Sequence, residues 1–141
     1  FFFQAEDGIR IVDCDWSSDV CSSDLKLSAV AVHYEIAVLN LHAHLWQVSL
    51  TIAKPHALQT LQLPVWIPGS YMVREFSKQL IAVKAFQHST ACDITQTAKA
   101  TWQVQADPHQ ALTVQYRVHA YDASVRTAWL DANRGFFNPT S

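Results

Sequence analysis

Val32, Tyr34, Ile36 and Val38 alternate with His33, Glu35 and Ala37, and Trp46, Val48, Leu50 and Ile52 alternate with Gln47, Ser49 and Thr51. A period of two puts apolar side chains on one face of an extended strand and polar ones on the other. Asn40 to His44 lies between the runs as a loop, so the two read as a hairpin. Pro55 cannot donate to a ladder and ends the second run. Leu58 to Leu63 is a shorter strand ending at Pro64, Leu80 to Phe86 is apolar apart from Lys84, and Trp102 and Val104 share one face of a further strand. After a turn at Asp107-Pro108-His109, the residues Leu112, Val114, Tyr116, Val118 and Ala120 form the longest clean alternation in the chain. Only Met72 to Gln79 has room for a short helical turn, with Ser70 as its N-cap. The pattern predicts an all-β fold, an antiparallel β-sandwich or open sheet with at most one short helical turn. Trp46, Trp66, Phe86, Trp102 and Tyr116 are its candidate core anchors, each contributing about 1.5–3 kcal/mol if well buried.

The first 25 residues do not share this pattern. They carry six acidic residues against Arg10 alone, a net charge of -5, whereas residues 26–141 hold all seven histidines and sum to +3. Gln4 to Arg10 and Asp15 to Leu25 resemble translated sequencing-library adapter DNA, in the expected order and with a variable index between them. On that reading residues 1–25 are an artefact without structure and are excluded from the fold, as a tag would be. The native N-terminus is then replaced, so the lack of a secretory signal carries no information. The compartment stays open, with the cytoplasm as the default. Residues 26–141 are expected to form one β domain.

Half of the chain is apolar and its mean hydropathy is near zero, which fits a globular domain. No apolar run approaches the roughly 18–20 residues of a membrane helix. The net charge of -2 suggests no nucleic-acid partner.

Candidate chemistry is sparse. Glycines occur only at positions 8, 69 and 135, so neither a P-loop nor a GxGxxG can be built, and there is no H-E-x-x-H and no G-x-S-x-G. Cys14 and Cys21 are too far apart for a CxxC. His42 and His44, two apart, could ligate a metal, but no third ligand is placed and the plainer reading is two exposed loop histidines. Cys92 has no identifiable base and reads as a small filler. Asp122 and Ser124 with a histidine could be imagined as a triad; the simpler reading is a turn in which both bond nearby backbone N–H groups and Arg126 pairs with an acid or with carbonyl oxygens. In Trp66 to Phe76, Pro68-Gly69 suits a type II turn, with Trp66 and Tyr71 flanking it and packing on the sheet.

Three stretches carry a family resemblance: Val32-His33-Tyr34; Leu63 to Phe76, reading LPVWIPGSYMVREF; and Tyr121 to Asp131, reading YDASVRTAWLD and continued by Gly135-Phe136-Phe137-Asn138. Together they resemble the N-terminal domain of the glycyl aminopeptidase family, bacterial gluzincin metallopeptidases with an N-terminal β domain, a thermolysin-like zinc domain and a PDZ domain. The resemblance makes Trp66, Pro68, Gly69, Ser70, Tyr71, Arg74, Phe76, Tyr121, Ser124 and Arg126 structural signature residues. It makes Arg126, Phe136, Phe137 and Asn138 candidates for a domain interface or the rim of a substrate cleft. The family's zinc helix, its downstream glutamate ligand and its PDZ domain would follow this domain, and their motifs do not occur here. No catalytic or metal-binding residue is therefore carried over.

What the resemblance implies is a non-catalytic piece of a zinc-dependent aminopeptidase, inactive alone and without a cofactor of its own. The parent would hold the zinc and hydrolyse peptides with N-terminal Gly or Ala, and the partners would be its zinc and PDZ domains. The alternative is a free-standing β-sandwich module that binds protein or carbohydrate. Phe136 and Phe137 separate the two: buried in the sandwich they favour the free-standing module, and exposed they favour a surface that packs on more protein.

Overall fold

A computed structural model describes residues 4–5, 32–66, 72–124 and 127–137. Those residues form eleven strands and one 3-10 turn: β1 (Gln4–Ala5), β2 (Val32–Asn40), β3 (Leu45–Ile52), β4 (Leu58–Gln62), the turn Phe76–Gln79, β5 (Leu80–Gln87), β6 (Thr90–Cys92), β7 (Ile94–Ala98), β8 (Thr101–Gln105), β9 (Leu112–His119), β10 (Ala128–Leu130) and β11 (Gly135–Phe137). Every pairing is antiparallel. One sheet runs β2-β3-β9-β5-β6, a second β1-β4-β8-β7, and β10-β11 form a separate hairpin. The all-β expectation holds, and no helix among the described residues is long and apolar enough to cross a membrane. Within the segment expected to lack structure, Gln4–Ala5 is an exception, pairing with Gln62 and Leu61 along the edge of β4. The rest of residues 1–25 lies outside the described residues.

The alternation read from the sequence becomes registered rows. Tyr34 faces Leu50, which faces Val114, and Ile36 faces Val48, which faces Tyr116. Val48, Leu50, Ile52, Val114 and Tyr116 are buried in one cluster with Leu61, Trp102 and Val104 of the second sheet, so the two sheets share a single core.

Strand β5 needs a correction of phase to join it. Leu80 pairs with Val118 and Ala85 with Val114, both on the inner face, yet five positions separate them, an odd number. The register shifts between Ile81 and Lys84, where Ala82 takes a φ of 54°. The extra residue of this bulge returns Ala85 to the core.

Two glutamines are buried where apolar residues would be expected. Gln59 accepts from His56 N at 3.0 Å and donates to the Thr60 carbonyl at 3.0 Å. Gln87 donates to the carbonyls of Asp107 and Gln110 at 2.8 and 2.9 Å and accepts from Asp107 N at 2.8 Å, pinning the β8–β9 loop to β5. With Gln59 inward, Leu58 turns outward and is exposed.

Of the candidate anchors, Tyr116 and Trp102 are buried, Trp46 and Phe86 are half-buried, and Trp66 is 53% exposed. Leu61, Leu63 and Val65 continue one inward-facing phase, which leaves Trp66 on the outside. The predicted helical turn shrinks to Phe76–Gln79. Glu75 occupies its N-cap without a side-chain cap bond, because its carboxylate is engaged by Lys99 at 2.6 Å.

Leu61→Ala is expected to lower the free energy of unfolding by about 2–5 kcal/mol. Leu58→Ala should change it by no more than about 0.5 kcal/mol. Urea denaturation of the two variants measures this, and equal losses would place β4 in the wrong phase.

Candidate functional site

The signature residues that the structure describes, Trp66, Arg74, Phe76, Tyr121 and Ser124, gather at two features. The first is the stem of the Trp66–Phe76 loop. Arg74 N donates to the Val65 carbonyl at 2.8 Å and closes the stem. Phe76 is buried and holds the loop to the core, while Trp66, Met72 and Val73 are exposed, the last two at 63% and 73%. Pro68, Gly69, Ser70 and Tyr71 lie outside the described residues, so the type II turn expected there is not among the described features.

The turn after β9 comes against this stem. Ser124 N donates to Asp122 Oδ1 at 3.1 Å, and the Thr127 hydroxyl is shared between the carbonyls of Asp122 and Ser124, at 3.0 and 2.9 Å. Asp122 thus bonds a backbone N–H as the simpler reading has it, while Ser124 contributes its own backbone N–H and carbonyl; Arg126 lies outside the described residues. Between the stem and this turn is a depression of about 200 Å³ lined by Met72 to Phe76, Lys78, Gln79, Asp122 and Thr127. Two motifs some fifty positions apart thus form one concave surface. Arg74 Nε and Gln79 Oε1 are buried here without a hydrogen-bond partner among the described residues. Lys99 donates a hydrogen bond to Glu75, and that bond, then its charge, holds the Glu75 carboxyl below the ordinary range.

The second feature is the β10–β11 hairpin. Ala120 N donates to the His44 carbonyl, and Leu130 N donates to the Ala120 carbonyl, each at 2.8 Å. His44 Nδ1–H donates to the Leu130 carbonyl. The ring of His44 lies 4.1 Å from that of Tyr121, which stacks on Trp129 at 4.7 Å. His44 is therefore half-buried in an aromatic column, not an exposed loop residue; His42 is exposed as expected. Sequence reasoning missed this contact because its partners lie 77 to 86 positions away, although Tyr121 and Trp129 themselves belong to the third motif.

On its inner side the hairpin closes on Trp46. A Cβ on Gly135 would lie 2.8 Å from Trp46 Cζ2, and the Phe137 ring meets the indole edge-on at 5.8 Å. Trp46 Nε1 is buried there without a partner among the described residues. Phe136 and Phe137 are 41% and 39% exposed, and Asn138 lies outside the described residues. Asp131 closes the hairpin by accepting from Trp129 Nε1 at 2.7 Å and from the N–H groups of Asn133 and Arg134 at 2.7 and 2.8 Å. Those bonds, the Trp129 bond first, hold its carboxyl below the ordinary range.

No group of three or more His, Cys, Asp or Glu among the described residues is placed to hold a metal ion. Cys92 is a half-buried free thiol at the end of β6, with Sγ 3.7 Å from Gln87 Oε1. Burial pushes the Tyr34 hydroxyl up to about 12, and burial followed by the neighbouring Tyr34 pushes Tyr116 up as well. Both stay neutral across the physiological range and act as core residues.

Residues 33–141 match the family described as the Peptidase M61 N-terminal domain. Among solved structures, an aminopeptidase N family protein from Idiomarina loihiensis is similar, with 44% sequence identity and a TM-score of 0.74. The alignment covers 78% of this chain and 19% of that one, so the chain corresponds to about a fifth of that protein. No curated protein matches.

Two predictions follow from the hairpin. Gly135→Ala should destabilise the fold by about 1–3 kcal/mol, since the rigid indole leaves no room for the methyl group; thermal unfolding measures it, and an unchanged Tm would contradict the close approach. Asp131 titrates lower when folded than when unfolded, so its contribution is present above the unfolded value and is lost as pH falls through the folded one. The indole N–H resonance of Trp129 should therefore hold its position from neutrality down to about pH 4 and move only below it. In Asp131→Asn that acid transition should vanish; its persistence would show that another group controls the hairpin.

Proposed function

Because the chain belongs to the Peptidase M61 N-terminal domain family, we propose that it is the non-catalytic N-terminal β domain of a zinc-dependent aminopeptidase acting on peptides with N-terminal glycine or alanine. The family match over residues 33–141 carries the reading. The aminopeptidase N family neighbour supports it, since the chain aligns with a fifth of that longer protein.

The described residues do not supply a zinc site. In this reading the metal is held elsewhere in the parent polypeptide, where it would polarise the scissile carbonyl and activate water. The chain's own part is to present a rigid surface. The sandwich core fixes β9, β9 leads into Tyr121 and supports the hairpin, and these leave Tyr121, Phe136 and one side of Phe137 exposed. The exposure of the two phenylalanines favours a face that packs on more protein over a self-sufficient module for protein or carbohydrate.

The test has two arms. The 141-residue chain, with or without zinc, should release no p-nitroaniline from glycyl or alanyl p-nitroanilide; chelator-sensitive release would overturn the non-catalytic assignment. In the Idiomarina loihiensis protein, removing the matching fifth should abolish aminopeptidase turnover, and adding this chain in trans should restore part of it. A truncated, folded protein with full turnover would sink the proposal.

A further inference from the structure

We infer that the depression between the Trp66–Phe76 loop stem and the 122–127 turn is a carboxylate-binding site, with Arg74 as its main donor and Lys78 as a second cation. The inference rests on geometry and charge, and does not depend on the domain assignment.

Three observations converge on it. The first is the state of Arg74. The residue is half-buried and its Nε–H is wholly covered; its backbone N–H is taken by Val65, yet its guanidinium has neither a hydrogen bond nor an ion pair among the described residues. A covered N–H without a partner is costly, and the planar fork of the rest of the guanidinium, which is not among the buried unpaired atoms, matches a carboxylate. Second, the acids on the rim are already engaged: Glu75 with Lys99 at 2.6 Å, and Asp122 with the N–H of Ser124 at 3.1 Å. Neither is bonded to Arg74, and Lys78 adds a further positive charge on the lining. Third, Gln79 Oε1 is a covered acceptor without a partner on the same lining. A carboxylate with an amide N–H close by would complement both the donor and the acceptor once the two side chains turn toward it.

Size agrees with this chemistry. A depression of about 200 Å³ would take a small group such as an acyl amino acid and no large cofactor. Exposed Met72 and Val73 border the opening, which suits the aliphatic part of such a group. Two sources share this chemistry: the C-terminal residue of a peptide, and an Asp or Glu side chain of a docked polypeptide.

The experiment uses the full chain and three probes: N-acetylglycine, N-acetyl-aspartyl amide with its side-chain carboxylate, and the neutral N-acetylglycinamide. The NMR resonance of Arg74 Nε–H should move on titration with the carboxylates and not with the neutral amide. Tighter binding of N-acetylglycine indicates a peptide C-terminus, and tighter binding of N-acetyl-aspartyl amide a side chain. Arg74→Gln should weaken binding by about tenfold or more, and Arg74→Lys should retain part of it. Equal shifts with the neutral probe, no shift with either carboxylate, or undiminished affinity in a folded Arg74→Gln chain would overturn the inference. If Arg74→Gln fails to fold, exposed Lys78→Gln decides, with affinity expected to fall about threefold; unchanged affinity there would equally overturn it.

Discussion

The structure depends on β9 being held on both sides. Its eight residues pair with β3 along the whole length, from Leu112 against Ile52 to His119 against Leu45, while its other edge carries β5. Because side chains alternate strictly, this register decides the face of each residue in the three strands together, and a slip by one would turn Val114, Tyr116 and Val118 outward. The residue that follows the strand is Ala120, whose N–H meets the His44 carbonyl and whose carbonyl receives the N–H of Leu130. The core and the exposed signature surface are thus consecutive stretches of one backbone path.

Long alternations were legible from residues alone. β2, β3 and β9 follow apolar runs of period two, and Pro55 and Pro64 mark where pairing stops, since these depend on nearest neighbours in the chain. Short polar strands were not legible: Ile94–Ala98 and Thr90–Cys92 exist because β8 and β5 offer them free edges, and nothing local requires it. The phase of β4 was hidden for a related reason. Gln59 can be buried only because His56 N and the Thr60 carbonyl satisfy its amide, a condition set by folded geometry. Trp66 is the converse case, a large aromatic that composition assigns to a core and the phase of Leu61, Leu63 and Val65 assigns to the surface.

The candidate surface was legible as motifs and not as an arrangement. Sequence order identifies the Trp66–Phe76 and Tyr121–Asp131 stretches, but the depression that joins Arg74 to Asp122 and Thr127 is a tertiary product. The aromatic column shows the same limit: Tyr121 and Trp129 could be singled out, while His44 joins them only through a turn in which it adopts a φ of 55°. Irregular signature sequences in a β domain are therefore informative about surface, because the regular alternation is already committed to the core.

Gly135 seated on Trp46 has a consequence for the order of events in folding. The contact closes a loop of almost ninety residues, and the His44–Leu130 bond spans 86. Both rest on the β3–β9 pairing, which brings the indole and the Ala120 junction to the hairpin. Long loops give their contacts late in folding, and such small units open locally at lower cost than the sheet they rest on. The hairpin is then expected to act as a latch, the last part to engage and the first to release. When it releases, Phe137 and Trp46 are uncovered together while the sandwich beneath stays intact.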